Sequence, residues 1–313
     1  MFFSVILPLF NKAPYVEKTI RSVLSQTFGD FELIVVDDGS TDASFEVASQ
    51  AIGGDSRCRI IHQENSGVSA TRNKGVEISR GNYICFIDGD DWWAPGFLGR
   101  MNWLIREYPD AGIYGTNYFY VKNGRQRICV KNAETGYIDY CKVYSEGMAM
   151  PLTSISVAIN PLVFREFGGF KRELKLGEDF DLWIRIALKY KVVFLNEPLA
   201  YYNQDSNPAW RGIGHLQEPR SHMLWNLGYL DEEERVNPDY KQLIDNLRTY
   251  SLYPYYLSRR FHDAARKELD KVDWNKQPKS TRALYKRPVL FLRIRNAVLL
   301  VGSAFKQRLL KFL

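Results

Sequence analysis

Cysteine is scarce in this sequence, and its spacing excludes two common kinds of structural site. The four cysteines among 313 residues are widely separated and form no C-x-x-C pair. They are too few for the disulfide frame of a small secreted domain, and a structural zinc site usually takes its thiols in closely spaced pairs. We therefore predict free thiols in a reducing compartment and expect the cytoplasm as the location. The cysteines are Cys58, Cys85, Cys129 and Cys141.

Long apolar segments are also missing. The N-terminal residues contain no basic leader and run directly into a strand pattern, so no signal peptide is expected. In the C-terminal region the longest apolar stretch without a charged residue, 297–305, is nine residues long. A helix needs about 20 residues to cross a bilayer. The sequence therefore predicts no membrane-spanning helix in this region.

Acidic residues are absent from the last part of the chain. Residues 274–313 contain ten Lys or Arg and no Asp or Glu, which leaves 32 basic against 36 acidic residues, about −4, for the rest. The net charge of +6 thus belongs to the tail, and nucleic acid is not a predicted partner. Residues 282–313 mix apolar with basic side chains, which predicts an amphipathic helix in peripheral contact with an anionic membrane. A helix packed on the protein's own body is the alternative.

Strand and helix patterns alternate over the first 100 residues, which is typical of βαβ units around a parallel sheet. We predict a doubly wound, nucleotide-binding α/β half, then a mixed region to about residue 205 and a helical, aromatic-rich segment. The predicted strands are 5–7, 31–36, 59–61, 83–87, 111–121, 154–160 and 192–195. The predicted helices are 15–26, 42–52, 69–79, 95–108 and 178–190. The predicted domains are 1–205, a helical extension 206–275 and a basic tail 276–313.

The most informative segment is an apolar run that ends in three carboxylates within four residues, Asp88, Asp90 and Asp91. Carboxylates this close repel one another unless a cation lies between them, and oxygen-rich clusters suit Mg²⁺ or Mn²⁺. At the carboxyl edge of a parallel strand, a cation would lie where open α/β sheets bind ligands. A solvated hairpin turn at Asp-Gly is the alternative.

Three further strand or loop ends carry polar residues. Pro8, Phe10, Asn11 and Lys12 follow the first strand, where Phe10 could stack on a base and Lys12 could contact a phosphate. Asp37 and Asp38 end the second strand before a glycine turn, with a helix cap expected at Ser40 or Thr41. Gly67 precedes a helix whose N-terminus can face an anion, and Arg72 adds positive charge. Each of these segments, taken alone, is also compatible with a purely structural turn.

Together, these motifs resemble those of the family 2 glycosyltransferases. The resemblance covers about residues 3–205 and rests on four motifs in order: Pro8-x-Phe10-Asn11, Val36-Asp37-Asp38-Gly39-Ser40-Thr41-Asp42, Asn65-x-Gly67-x-Ser69-x-x-Arg72-Asn73-x-Gly75 and Asp88-x-Asp90-Asp91. It implies a GT-A nucleotide-diphospho-sugar transferase fold, a Rossmann-like mixed α/β sheet, here with a C-terminal helical extension. It also implies that Pro8, Lys12, Asp38 and Arg72 surround the donor nucleotide. Asp90 would ligate Mn²⁺ or Mg²⁺, with Asp88 beside the ribose and sugar.

A fifth motif, Glu178-Asp179-x-x-Leu182-Trp183-x-Arg185, resembles the family segment that carries the general base. We predict Asp179 as this base and Glu178 as the second choice; acidic residues stabilising a helix N-terminus are the alternative. The Q-x-x-R-W motif of processive relatives is altered, because Ser221 follows Arg220.

The resemblance therefore implies an inverting, metal-dependent, non-processive transferase. It would move one sugar from a nucleotide-sugar to a glycan or lipid-linked acceptor, and a UDP-sugar is the expected donor. The reaction would belong to bacterial surface glycan synthesis at the cytoplasmic face of the membrane. There are two alternatives. One is a catalytically silent protein that binds a sugar nucleotide or a glycan. The other is a sugar nucleotidyltransferase, although the glycine- and arginine-rich loop typical of those enzymes is absent.

Overall fold

The computed structural model describes residues 2–206 and 216–298, and the chain forms two compact units, Met1–Asn226 and Leu227–Leu313. The described part of the first unit contains a ten-stranded sheet flanked by helices. Its strands are β1 (Phe3–Leu9), β2 (Phe31–Asp37), β3 (Cys58–His62), β4 (Tyr83–Phe86), β5 (Trp92–Trp93), β6 (Ala111–Lys122), β7 (Arg125–Ile128), β8 (Gly136–Ile138), β9 (Val157–Ile159) and β10 (Lys191–Asn203). Its helices are α1 (Val16–Leu24), α2 (Ser44–Ile52), α3 (Val68–Glu77), α4 (Phe97–Glu107), α5 (Tyr140–Gly147), α6 (Pro161–Glu166) and α7 (Glu178–Ala187).

The sheet is mixed, with the order β3-β2-β1-β4-β9-β6-β10-β5. β1 to β4 are parallel, whereas β9 runs antiparallel to β4 and β6, and β5 runs antiparallel to β10. The predicted parallel half and the predicted mixed sheet are both confirmed. Because the carboxyl ends of β1, β2 and β4 meet at one edge, the loops that follow them lie together.

The central strands are anchored by burial on both faces. Every residue of β1 and of β2 is buried, and α1 turns Val16, Ile20 and Val23 into the same core. Burying one such aliphatic side chain contributes about 1.5–3 kcal/mol. The strands therefore form a rigid base for the polar residues that follow them.

Two local differences from the predictions have clear physical reasons. The last strand, predicted as four residues, continues to Asn203, because shifts in its register with β6 accommodate Pro198. The cap of α2 is Ala43, so the expected cap at Ser40 or Thr41 was wrong. Both residues bond instead to the loop after β1: Asn11 N–H donates to Ser40 Oγ at 3.1 Å, and Thr41 N–H donates to Asn11 Oδ1 at 2.8 Å.

The described part of the second unit is helical, as predicted. Arg248 is buried in the helix Pro238–Ser251 and bonds to Glu234 and Glu268, so ion pairs link three helices. No helix among the described residues is both long and apolar enough to cross a membrane. The predicted tail beyond residue 298 lies outside the described residues. The helices are α8 (Asp231–Val236), α9 (Pro238–Ser251), α10 (Tyr253–Leu257), α11 (His262–Leu269) and α12 (Lys279–Tyr285), and residues 289–298 are also helical.

Candidate active site

The loop after β1 brings a lysine to a carboxylate of the Asp88–Asp91 segment. Lys12 Nζ lies 2.6 Å from Asp90 Oδ2, and both side chains are mostly buried. Asn11 has a left-handed backbone with φ of +51°, a conformation that Asn tolerates better than most residues. Pro8 was expected after the first strand but lies within β1, beside Val36; the pairing of β1 with β4 ends at Ile6, so no donor to β4 is needed at Pro8. Phe10 stays 41% exposed just beyond the end of β1. Asn11 therefore shapes the loop through its backbone, and the exposed ring of Phe10 is accessible for stacking on the ring of a ligand.

Asp38 is buried and holds the loop that precedes α3. It accepts hydrogen bonds from the backbone N–H groups of Ser66 and Gly67, both at 2.9 Å, and from Gln63 Nε2 at 2.8 Å. Gly67 has φ of +87°, which explains the glycine there. Asp38 therefore shapes the loop through several donors. Neighbouring Asp37 is also buried and lies 2.6 Å from His62 Nδ1.

Arg72 joins segments that are far apart in the sequence. Arg72 is 3% exposed, and its guanidinium donates to Asp88 Oδ1 at 2.8 Å and to Glu178 Oε1 at 3.0 Å. Burial lowers the pKa of Arg72, but the charges of Asp88 and Glu178 outweigh it and raise that pKa overall. Ser154 Oγ completes the cluster, 3.3 Å from Arg72 and from Asp88. Arg72 therefore fixes the position of one carboxylate of the Asp88–Asp91 segment relative to α7.

The three acidic residues in the first turn of α7 differ in their burial and in their hydrogen-bond partners. Asp181 is fully buried and pairs with Lys171 and Arg185, both at 2.8 Å, so it is part of the packing. Asp179 is only partly buried and accepts a hydrogen bond from its neighbour, Phe180 N–H, at 2.8 Å. Removal from water and then the nearby charge of Glu178 raise the pKa of Asp179 to about 7. A carboxylate with this pKa suits proton transfer near neutral pH.

The carboxylates of Asp88 and Asp90 are the candidate ligands of a divalent cation. Each already bonds to a basic side chain, Asp88 to Arg72 and Asp90 to Lys12. Within residues 2–206 and 216–298, no group of three or more His, Cys, Asp or Glu forms a metal cluster. Mg²⁺ commonly takes only one or two protein carboxylates and completes its shell with substrate phosphates and water. The donor set therefore fits a cation that arrives with a diphosphate.

A cleft of about 440 Å³ opens beside Asp90, and no sequence motif predicts it. It lies between the start of α1 and the ends of β6 and β10, which the sequence alone does not bring together. The neighbouring Asp91 is buried, and its Oδ1 accepts Asn203 N–H at 2.7 Å. Asp91 thus ties the carboxylate segment to the end of β10. Residues lining the cleft include Tyr15, Lys18, Trp92, Gln126, Asn203 and Asp205.

The histidines do not form a catalytic set with these carboxylates in the described ranges. His222 is buried, its Nδ1 accepts Leu224 N–H at 3.1 Å, and burial lowers its pKa to about 4. It lies beside Leu176, just before α7, in a parallel bridge. His222 is therefore a packing residue next to the α7 segment, and His215 lies outside the described residues.

Known proteins resemble this chain in sequence and in fold. The family model described as glycosyl transferase family 2 matches residues 4–162, just over half of the chain. Glycosyltransferase GlyA of Streptococcus pneumoniae is 34% identical over 211 residues. That match covers 64% of this chain and 30% of GlyA, so the chain spans less than a third of that relative.

Solved structures share the fold at low identity. TarS of S. aureus, residues 1–349 in complex with UDP-GlcNAc, has a TM-score of 0.73 at 19% identity, covering 90% of this chain and 83% of that chain. Mannosyltransferase PcManGT of Pyrobaculum calidifontis, in complex with GDP-Man and Mn²⁺, has a TM-score of 0.58 at 17% identity, covering 96% and 86%. The GT-A fold expected from the motifs is confirmed.

Proposed function

The chain belongs to glycosyl transferase family 2, and we propose that it transfers one sugar from a nucleotide-sugar to an acceptor hydroxyl with inversion at the anomeric carbon. The observation that carries this proposal is Arg72, which bonds at once to Asp88 and to Glu178, next to Asp179. This one buried guanidinium thereby holds Asp88 and the first turn of α7 in a fixed relation. Such preorganisation is what a direct displacement requires.

The donor is proposed to lie over the carboxyl ends of β1, β2 and β4. Phe10 offers an exposed ring to the base, and Asp37 and Asp38 lie at the end of β2 beside the Gly67 loop. Lys12, whose Nζ lies beside Asp90, is proposed to contact a phosphate oxygen. UDP-sugar is the proposed donor, in keeping with the UDP-GlcNAc complex of the TarS relative.

A divalent cation, Mn²⁺ or Mg²⁺, is proposed to bind at Asp90 with Asp88 beside it. Bound there, it would stabilise the negative charge that develops on the departing diphosphate. The Mn²⁺ in the PcManGT structure supports this choice of cofactor. Lys12 and Arg72 add fixed positive charge on the protein side of the same carboxylates.

Asp179 is proposed as the general base. As the acceptor oxygen forms its bond to the anomeric carbon, the hydroxyl proton passes to the Asp179 carboxylate. The bond from the anomeric carbon to the diphosphate oxygen breaks, and its electron pair leaves with the nucleoside diphosphate. Attack opposite the leaving group inverts the anomeric configuration, so no protein nucleophile is needed. Glu178 raises the pKa of Asp179 and bonds to Arg72, which suits an orienting role.

The acceptor is proposed to be a lipid-linked or polysaccharide hydroxyl of a bacterial surface glycan, used at the cytoplasmic face of the membrane. Ser221 in place of the tryptophan of processive relatives supports the addition of a single sugar. The cleft beside Asp90 is large enough to hold part of a sugar chain.

Donor hydrolysis and donor binding test the proposal across a panel of nucleotide-sugars, with Mn²⁺, Mg²⁺ or EDTA. We expect metal-dependent turnover of one donor by wild type and loss of that turnover in Asp90→Ala, with Asp263→Ala, an exposed residue of α11, as the control. Absence of metal-dependent binding to every donor would contradict the proposal and favour a silent glycan-binding protein.

A further inference from the structure

The helix at residues 289–298 has an inward face that is fixed to the second unit. Leu292 is fully buried. Arg293 Nε donates to the Leu257 carbonyl at 2.9 Å, and its Nη2 donates to the Ser258 carbonyl at 3.3 Å. These contacts set which side of the helix faces solvent.

The outward face of this helix is apolar, the reverse of an ordinary surface helix. At about 100° per residue, its four large apolar side chains fall within an arc of about 100°. A surface helix normally presents polar residues on this side, so a contiguous apolar face indicates a partner. The exposed fractions are 68% for Leu290, 48% for Phe291, 58% for Ile294 and 65% for Val298.

The charge around this apolar face indicates the chemistry of the partner. Lys286, Arg287 and Arg295 are all exposed, and the Arg287 guanidinium lies 5.4 Å from the Phe291 ring centre. Residues 274–313 contain ten basic residues and no acidic residue. A second copy of the chain would bring two equally basic segments together, and like charges across an interface oppose association. An anionic surface is therefore the better complement.

We propose that this face docks on an anionic lipid bilayer, with Leu290, Phe291, Ile294 and Val298 entering the headgroup boundary and the basic residues contacting lipid phosphates. An apolar stripe bordered by Lys and Arg is the pattern of helices that lie in a membrane interface. In the sequence, apolar residues continue at the same spacing of three or four positions, at Val301, Phe305, Leu309 and Phe312. This inference extends the proposed location and is independent of the proposed chemistry, because vesicle binding is measured without donor or acceptor.

Cosedimentation of the full chain with vesicles tests the inference. One set of vesicles contains phosphatidylcholine alone, and the other contains about one third phosphatidylglycerol. The test variant is Leu290→Glu with Ile294→Glu. The control is Val236→Glu, because Val236 is 66% exposed at the end of α8 in the same unit. Both variants change only exposed side chains, and circular dichroism checks that they fold.

We expect the wild type and Val236→Glu to bind the anionic vesicles, to release them as NaCl is raised, and to ignore the neutral vesicles. Binding of the double variant should be weaker by about tenfold or more, because each added carboxylate is repelled by the anionic surface. Equal binding by the double variant and the control would overturn the inference. The inference would also be overturned if the wild type did not bind vesicles but self-associated, as measured by light scattering, and if the double variant no longer self-associated.

Discussion

The guanidinium of Arg72 donates a 3.0 Å hydrogen bond to Glu178, although the two residues are 106 positions apart in the chain. The same guanidinium donates to Asp88 on its other side. The carboxylate segment after β4 and the first turn of α7 are therefore held together by one buried side chain. Because Arg72 is inaccessible, it acts as a positioning residue in the proposed mechanism.

Replacing Arg72 should affect both stability and activity. Arg72→Met leaves Asp88 and Glu178 without their shared cation, and breaking a buried ion pair typically costs about 3–5 kcal/mol. We expect a matching fall in the free energy of unfolding, measured by urea titration, and loss of donor turnover. Arg21→Met removes an exposed pair with Glu17 and should change neither quantity measurably. Similar behaviour of the two variants would contradict the positioning role.

The pH dependence of turnover should report Asp179. A general base works only when unprotonated, and the pKa of Asp179 is raised to about 7 by burial and by Glu178. Turnover at limiting substrate should therefore fall as the pH drops below about 7, by about tenfold per unit. Glu178→Gln removes the neighbouring negative charge, so the acid limb of its profile should move to lower pH. An identical acid limb in wild type and Glu178→Gln would argue against Asp179 as the base.

Gly177 offers a test of how α7 is placed. It caps α7 with φ of +81°, and a Cβ there would lie 2.3 Å from Met223 Cγ. Gly54 has nearly the same φ, +83°, and a Cβ at that position would meet nothing within 4 Å. Gly54→Ala should cost about 1 kcal/mol through backbone strain alone. Gly177→Ala should cost more and also reduce turnover, because α7 and Asp179 must shift. Denaturation and turnover measured on both variants check this, and equal losses would count against it.

Replacing Asp38 should lower the free energy of unfolding, because Asp38 holds a loop rather than taking part in the proposed reaction. Asp38→Asn replaces a carboxylate that accepts from Ser66, Gly67 and Gln63 with an amide that turns a donor toward one of them. A buried unpaired donor costs about 1–3 kcal/mol, so the free energy of unfolding should fall by that amount and donor affinity should weaken. The exposed Asp263→Asn is the matched control. Unchanged unfolding of Asp38→Asn would show that the loop is held by other contacts.

Much of the fold could be predicted from the sequence because local signals agree with the tertiary structure. β1 and β2 are short apolar runs that end at Leu9, just before Phe10 and Asn11, and at Asp37, so polar residues mark where both strands end. The bonds of Asn11 to Ser40 and Thr41 could not be predicted, because they connect two loops through a left-handed residue. From the sequence alone, Ser40 and Thr41 were instead expected to cap the following helix.

The site could be predicted only as separate motifs. Asp88, Asp90 and Asp179 stand out by their position at strand and helix ends, but nothing local links Arg72 to Glu178. Ser154 carries no motif at all, although its hydroxyl lies 3.3 Å from both Asp88 and Arg72. Asp181 looks equivalent to Asp179 in sequence, and only packing against Lys171 and Arg185 distinguishes it.

Donor binding and donor turnover measured together on Asp179→Asn test the central proposal most directly. The substitution keeps the size of the side chain and removes its ability to accept a proton. We predict that the variant binds the preferred nucleotide-sugar, with Mn²⁺, as tightly as wild type within about threefold, while its turnover falls by about 10²–10⁴-fold. Turnover equal to that of wild type would contradict the assignment of Asp179 as the base.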